Sequence, residues 1–187
     1  MRSTWLLLLI SLILCSMSGL AVVSRTSRPS QQTVQVPIPE LTNLDAWSGR
    51  WTTEGKLYDT PYSRAGNITI TMTCGWSAYN GYMICDHLFS GPAGKHNDLT
   101  VYTYNQADKT YKLCSVDQTG TPRSVPLTIE GNIWTYNSEM EKDGKKILIK
   151  TINDFSKPDI VLWNTKFSSD GGAHWTLMNE GVDSKVR

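Results

Sequence analysis

The stretch LDAWSGRW, residues 44–51, decides the fold because the local pattern of the chain changes within it. Residues 41–48 suit one short helical turn, with Asp45 in its first part. After Gly49 the apolar and polar residues alternate in short runs, and apolar residues do not recur at helical spacing for long. Gly49 therefore marks the end of a helical turn and the start of the first strand.

Turn residues separate the alternating runs that follow. Tight hairpins need residues that tolerate positive φ, and three dipeptides supply them: Asn80-Gly81, Gly131-Asn132 and Asp143-Gly144. The seven Trp and eight Tyr, with frequent Thr, Val and Ile, also favour strands. The sequence predicts an all-β fold, a single antiparallel up-and-down β-barrel of about eight to ten strands. The predicted strands lie near 49–57, 67–76, 81–89, 98–105, 110–117, 123–130, 132–137, 145–153, 159–168 and 173–180.

The start of the chain has a different composition from the rest. Residues 1–21 are typical of a secretory signal peptide, with Arg2 as the positive start, an apolar run at 5–14 and a small-x-small cleavage site. An uncleaved anchor is the alternative, but the run is about half as long as a membrane-spanning helix. Residues 22–40, rich in Ser, Thr, Gln and Pro, predict a disordered linker, which leaves 41–187 as the barrel domain. We expect a secreted or periplasmic protein with no stable membrane insertion after cleavage.

Charge and histidine content exclude several functions. The 18 Lys and Arg nearly balance the 17 Asp and Glu, so no broad basic surface is available for nucleic acid. His and Cys residues do not occur at the close, regular spacing of metal ligands. We therefore expect no nucleic-acid partner, no metal and no cofactor, and the pattern leaves the oligomeric state open.

Three cysteines follow the predicted leader: Cys74, Cys85 and Cys114. Export places them in an oxidising compartment, where disulfides persist. A four-residue turn at 78–81 would put Cys74 directly opposite Cys85 in a hairpin, close enough for a disulfide. We predict this bridge, and a bridge between Cys85 and Cys114 is the alternative if the next strand aligns them.

A second local motif, SSDGGAHW at 168–175, matches the S-x-D-x-G-x-x-W pattern of the Asp box. In such a turn Asp170 accepts hydrogen bonds from backbone amides, Gly172 takes a conformation that other residues resist, and Trp175 packs beneath. Sialidase propellers repeat the box once per blade, whereas it occurs once here. The motif therefore predicts a structural hairpin.

Several marks occur in a defined order along the chain: GRW at 49–51, CGWS at 74–77, GYMICD at 81–86, YTYN at 102–105, GNIW at 131–134 and the turn at 168–175. Together they resemble the bacterial domain-of-unknown-function family 1579, over about residues 41–180. The resemblance implies a calycin-like barrel, the architecture of lipocalins and fatty-acid-binding proteins, in proteins that are often exported. It implies no reaction.

The same resemblance implies a role for the Gly-x-Trp motif, here Gly49 and Trp51. In calycins the Trp of this motif closes one barrel end and packs against a basic side chain from late in the chain. Three residues qualify as that partner in this sequence: Lys150, Lys185 and Arg187.

The barrel itself supplies the main functional argument. Side chains either fill the interior of a barrel of this size or leave one small-ligand cavity. Aromatic side chains offer an apolar wall with a polar handle, and six fall on or beside predicted strands: Trp76, Tyr82, Tyr104, Trp134, Tyr136 and Trp163. We predict that the barrel binds a small apolar or amphiphilic molecule. A fully packed interior would contradict this prediction.

Two other functions stay open. A filled barrel could serve as a structural module whose exposed aromatics contact a protein or a glycan, and a patch of exposed Trp would favour it. A calycin-type enzyme could act through Asp86, His87 or His174 if a histidine met a carboxylate in a polar pocket. Asp86 and His87 are neighbours in a strand and so point to opposite faces, which argues against a dyad between them.

Overall fold

The computed structural model describes residues 38–187, so the predicted signal peptide and most of the predicted linker lie outside the described residues. The first element is a 3₁₀ helix, Pro39–Trp47, which begins two residues before the expected turn. Proline suits this position because the first amides of a helix have no partner inside it. Leu41, Leu44 and Trp47 are buried, so one side of this helix faces the core.

Ten antiparallel strands follow, and each pairs with its neighbours in sequence. The last strand pairs with the first and closes the barrel. The predicted all-β, up-and-down barrel is therefore confirmed. The strands are β1 Gly49–Leu57, β2 Gly66–Trp76, β3 Met83–Gly91, β4 Gly94–Asn105, β5 Thr110–Asp117, β6 Pro122–Glu130, β7 Ile133–Lys142, β8 Lys145–Lys157, β9 Ile160–Ser168 and β10 Thr176–Val186.

Some strands extend beyond their predicted ends. β4 begins at Gly94, because Gly91 pairs with Gly94 in a tight hairpin. The predicted strand began only at 98, and residues 94–97 are thus part of β4, where His96 stacks on Phe89 with ring centroids 4.6 Å apart. β7 extends to Lys142, where Asp143 and Gly144 form a two-residue turn with φ of 53° and 70°.

Aromatic side chains close the barrel end at which β1 begins. Trp47, the last residue of the 3₁₀ helix, packs edge-on against Trp51 and Phe155, with ring centroids 5.6 and 4.8 Å away. Trp134 lies 6.3 Å from the same ring, and Trp51 Nε1 donates a 2.8 Å hydrogen bond to the Trp47 carbonyl. The four rings of Trp47, Trp51, Trp134 and Phe155 therefore close this end of the barrel, and we call them the aromatic plug.

The basic partner of Trp51 is Lys185, whose Nζ lies 5.3 Å from the centre of the Trp51 ring. The other two candidates are engaged elsewhere. Lys150 Nζ lies 4.4 Å over the ring of Trp175, and Arg187 forms a 3.1 Å ion pair with Asp159.

The β2–β3 hairpin carries the disulfide. Cys74 and Cys85 are directly opposite in the ladder, with Cα atoms 4.1 Å apart, and both are buried. The predicted bridge is confirmed. Cys114 on β5 is half-buried and free.

Side chains of the 168–175 segment hold its turn together. The Ser168 hydroxyl donates to Asp170 Oδ1 at 2.7 Å and accepts the Gly172 amide at 2.9 Å. The same Asp170 oxygen accepts the His174 amide at 3.0 Å. These hydrogen bonds, together with the ring of His174, hold the pKa of Asp170 well below its usual range.

One part of the barrel wall is not hydrogen-bonded. β6 and β7 pair only between the turn and the pair Leu127↔Tyr136. Beyond that pair, residues 122–126 of β6 and 137–142 of β7 have no ladder partners on each other within the described barrel. We call this opening the β6–β7 seam.

Proline explains where the seam begins. Glu130 and Ile133 close a two-residue hairpin, and such closing residues exchange hydrogen bonds through their backbones. Every second residue of β6 before Glu130 also directs its backbone N–H and C=O at β7. Pro126 is the next residue of β6 that would have to donate to β7, and it has no N–H. Pro122, four residues earlier on β6, also faces β7 and also lacks an N–H.

Candidate functional site

A cavity of about 260 Å³ lies inside the barrel. Trp47, from the aromatic plug, and Tyr102, on β4, lie at its closed end. The interior is thus packed at one end and open in part beyond it. The remaining lining divides into an apolar side and a polar side.

The apolar side comes from β2 and β3. Ile68, Ile70, Met72 and Phe89 all line the cavity. Met72 is buried, whereas the other three are only half-buried. The apolar side therefore runs from the core toward solvent.

Asp183 is the centre of the polar side. It lies on β10, is only 6% exposed, and receives hydrogen bonds from the Thr53 hydroxyl at 2.5 Å and from Trp163 Nε1 at 3.1 Å. Burial raises the pKa of Asp183 to about 6, while the two hydrogen bonds act in the opposite direction. Both donors bind Oδ1, so Oδ2 has no protein donor among residues 38–187.

Three more polar atoms of the lining residues are buried without a partner in the described chain: Trp47 Nε1, His87 Nδ1 and Asn179 Oδ1. Burial lowers the pKa of His87, although the Asp98 backbone and the charges of Asp98 and Asp86 oppose that change. His87 is therefore neutral at pH 7. Buried polar atoms are normally paired, so the cavity lining has unused hydrogen-bonding capacity, both on β10 at Asn179 and on β3 at His87.

Among residues 38–187, Asp183 is the one charged side chain in the cavity lining, because these residues place no Lys or Arg there and His87 is neutral. The tyrosines that face it add no charge, since burial raises the pKa of both Tyr102 and Tyr136. The described part of the chain thus contributes one carboxylate and no compensating cation to the cavity.

The six aromatic residues expected to line a cavity lie in different places. Trp163 lines it and binds Asp183. Trp134 and Tyr136 are buried in the core at the closed end. The last three lie outside the cavity lining: Trp76, which donates to Asp45 at 3.0 Å, Tyr104, which packs on Tyr111 at 4.7 Å, and Tyr82, which is 43% exposed beside the β2–β3 turn.

Asp183, Thr53 and Asn179 are not among the site residues expected from the sequence. β10 was expected to end at 180, three residues before Asp183, but it extends to Val186. A usable signal was present in this strand, because Val182 and Val186 alternate with Gly181, Asp183 and Lys185. Here the valines are exposed and the polar residues face inward, which reverses the pattern of a packed strand.

The structure gives little support to the other two functions, a calycin-type enzyme and a structural module with exposed aromatics. His174 Nδ1 lies 2.6 Å from Asp170 Oδ2, but this pair is on an exposed turn and not in a pocket. Asp86 is exposed on the outer face of β3. The Trp residues of the described chain are buried or half-buried, and among its side chains no group of three potential metal ligands occurs.

In residues 38–187 no helix is both long enough and apolar enough to span a membrane.

No protein-family model matches the chain, and no curated protein matches it. Solved structures do match. Rv2717c from M. tuberculosis has a TM-score of 0.53 and 12% sequence identity, with 81% of this chain and 100% of that chain covered. The S-type phycobiliprotein lyase from Guillardia theta has a TM-score of 0.56 and 9% identity, with 85% and 99% covered. These likenesses concern the fold, and the fold of the described chain is that of a calycin-like β-barrel.

Proposed function

We propose that this barrel binds a small apolar or amphiphilic molecule in its interior. The observation that carries the proposal is the cavity of about 260 Å³, which has an apolar side on β2 and β3 and a polar side around Asp183. Ligand pockets generally begin at about 300 Å³, so the ligand is small. Trp163 supplies both a wall and a hydrogen-bond donor at the site.

Two further parts of the proposal concern the biology of the chain. We infer that it is exported and acts outside the cytoplasm, and the disulfide supports this because such bonds persist in oxidising compartments. We also infer membership of the bacterial domain-of-unknown-function family 1579, on the ordered motifs quoted above. One similar structure is a phycobiliprotein lyase, which supports the presence of a functional site on a barrel of this fold.

The test is an NMR titration with 1-hexanol, a small neutral amphiphile, observed at the indole N–H of Trp163. This proton points at Asp183, so its resonance reports directly on the cavity. We expect saturable shifts in the wild type. Ile70→Trp fills the cavity from its apolar side and should weaken binding by about tenfold or more.

Thr71→Trp is the matched control. Thr71 is the next residue of β2 and its side chain is exposed on the outer face, so this variant should bind as the wild type does. A response that is equal in both variants would place binding outside the barrel and refute the proposal. Native mass spectrometry of the three proteins from their own host adds an independent readout, because a co-purified molecule should be missing only from Ile70→Trp.

A further inference from the structure

The polar side of the cavity contains a buried carboxylate with no cationic partner among residues 38–187. Asp183 is buried, and its carboxylate meets only neutral donors, Thr53 and Trp163. A buried carboxylate normally pairs with a cation, because hydrogen bonds from neutral groups only partly replace its hydration. Residues 38–187 place no Lys or Arg in the cavity lining.

The arrangement of hydrogen bonds leaves one carboxylate oxygen for a ligand. Thr53 and Trp163 both donate to Oδ1, and they come from the strands on either side of β10. The two donors therefore hold the carboxylate in one orientation without using Oδ2. Such a fixed, unoccupied acceptor is preorganised for a donor that enters the cavity.

Two of the three other unpartnered atoms can also accept a hydrogen bond, whereas Trp47 Nε1, at the closed end, is a donor. Asn179 Oδ1 is an acceptor, and it lies on the same strand as Asp183. His87 Nδ1 accepts in the tautomer that carries its proton on Nε2. Among these residues, Asp183 and Asn179 call for a ligand that donates hydrogen bonds rather than one that only accepts them.

We propose that the ligand of this cavity is a small amphiphile with a primary ammonium head, held by Asp183, and an aliphatic tail that lies against Ile68, Ile70 and Phe89. An ammonium group supplies the missing charge and three donors. The inference rests on the proposed function and specifies its ligand class. Carboxylates and phosphates are excluded, because their charge would face Asp183 without any cation in the lining.

The experiment compares three compounds with the same six-carbon tail: hexylamine, 1-hexanol and hexanoate. Each is titrated into the wild-type protein at about pH 7.5, where hexylamine is charged and Asp183 is ionised, and binding is followed at the Trp163 indole N–H. We expect hexylamine to bind about tenfold or more tightly than either other compound, the usual size of a charged hydrogen bond.

Asp183→Asn is the decisive variant. The amide oxygen can still accept from Thr53 and Trp163, so the fold and the apolar side persist while the charge is lost. We expect the preference for hexylamine over hexanol to disappear. Asp86→Asn removes an exposed carboxylate on the outer face of β3 and should leave the preference intact.

Acidification provides a second readout. The titratable groups that face Asp183 from other strands are His87, Tyr102 and Tyr136, and at about pH 7.5 none of them is charged. Below a pH of about 6 Asp183 takes up a proton, so hexylamine binding should weaken while hexanol binding changes little.

The outcomes separate this inference from the proposed function. Equal or tighter binding of hexanol or hexanoate would overturn the ammonium inference and leave interior binding intact. The same holds if Asp183→Asn keeps the preference for hexylamine. If none of the three compounds shifts the Trp163 resonance, both the inference and the proposed function are refuted.

Discussion

Asp183 lies inside the barrel, where burial raises its pKa from 3.8 to about 6. A raised pKa means that the folded state favours the protonated acid. The stabilising effect is fully present below the pKa of the unfolded chain and is lost as the pH rises through about 6. Near neutral pH the ionised group costs about 3 kcal/mol, since one pKa unit corresponds to about 1.4 kcal/mol.

Asp183→Asn should therefore stabilise the free protein at high pH. We expect a gain of about 2–3 kcal/mol in the free energy of unfolding at about pH 7.5 and almost none at about pH 4. Urea denaturation at both pH values measures it. His87 also titrates in this range, but it is present in both proteins and its effect cancels in the difference. The same gain at both pH values would show that the ionisation of Asp183 is not the cause.

The β2–β3 hairpin depends on its disulfide at the scale of one element. The bridge closes a short loop, with a sequence separation of 11 between Cys74 and Cys85. The bridge stabilises the fold chiefly because it limits the freedom of the unfolded chain, and a loop of this length gives about 3 kcal/mol.

Replacing both cysteines by alanine should lower the free energy of unfolding by about 2–3 kcal/mol. Guanidinium denaturation of the oxidised wild type and the double variant measures the difference. Cys114→Ser is the control, because Cys114 forms no bridge in the described chain. A double variant as stable as the wild type would mean that the bridge only fixes the hairpin register.

The elements of this fold follow from local rules that a sequence displays. β1 and β5 have the predicted bounds, because Gly49 and flanking turn residues mark their ends. The pairing of Cys74 with Cys85 was favoured by the turn length, since hairpin register is local, whereas the alternative with Cys114 depended on the alignment of the next strand. The extra length of β4 and β7 was hidden, because their added segments carry mainly polar and small residues and show no clear alternation.

The site depends on non-local geometry, and for that reason the sequence indicated it poorly. The position of the 3₁₀ helix determines which inward side chains fill the core and which line the cavity. Trp134 lies under Trp47 in the plug, whereas Trp163 is on β9 beyond it. Their strand patterns do not distinguish them. Asp183 was missed because an acid in a strand normally indicates an outer face.

At the largest scale, residues 38–187 form a barrel whose two halves are built differently. The half next to the 3₁₀ helix contains the aromatic plug and the disulfide. The other half contains the β6–β7 seam, in which two neighbouring strands run without ladder hydrogen bonds.

Hydrogen exchange should reveal the β6–β7 seam as backbone amides that alternate between fast and slow exchange along β7. Lys142 pairs with Lys145 at the β7–β8 turn, so the amides of Ser138 and Met140 face β8, and those of Asn137 and Glu139 face the seam. We expect the two seam amides to exchange about a hundredfold or more faster than the two facing β8. NMR-detected exchange measures each amide separately.

Thr135 supplies the internal control for this experiment. Its amide also faces β6, but there the strands are paired, Thr135 with Thr128, so it should be protected. Uniform protection along β7 would mean that the two strands are hydrogen-bonded throughout their length.

The seam also determines how the barrel responds to force. A tube that is slit along part of its length resists twisting far less than an intact tube, because shear cannot pass across the cut. Residues 122–126 and 137–142 form such a slit, and the turn at Gly131 and Asn132 joins its two edges at one end. The end that contains the plug is therefore torsionally stiff, and the end with the slit is compliant.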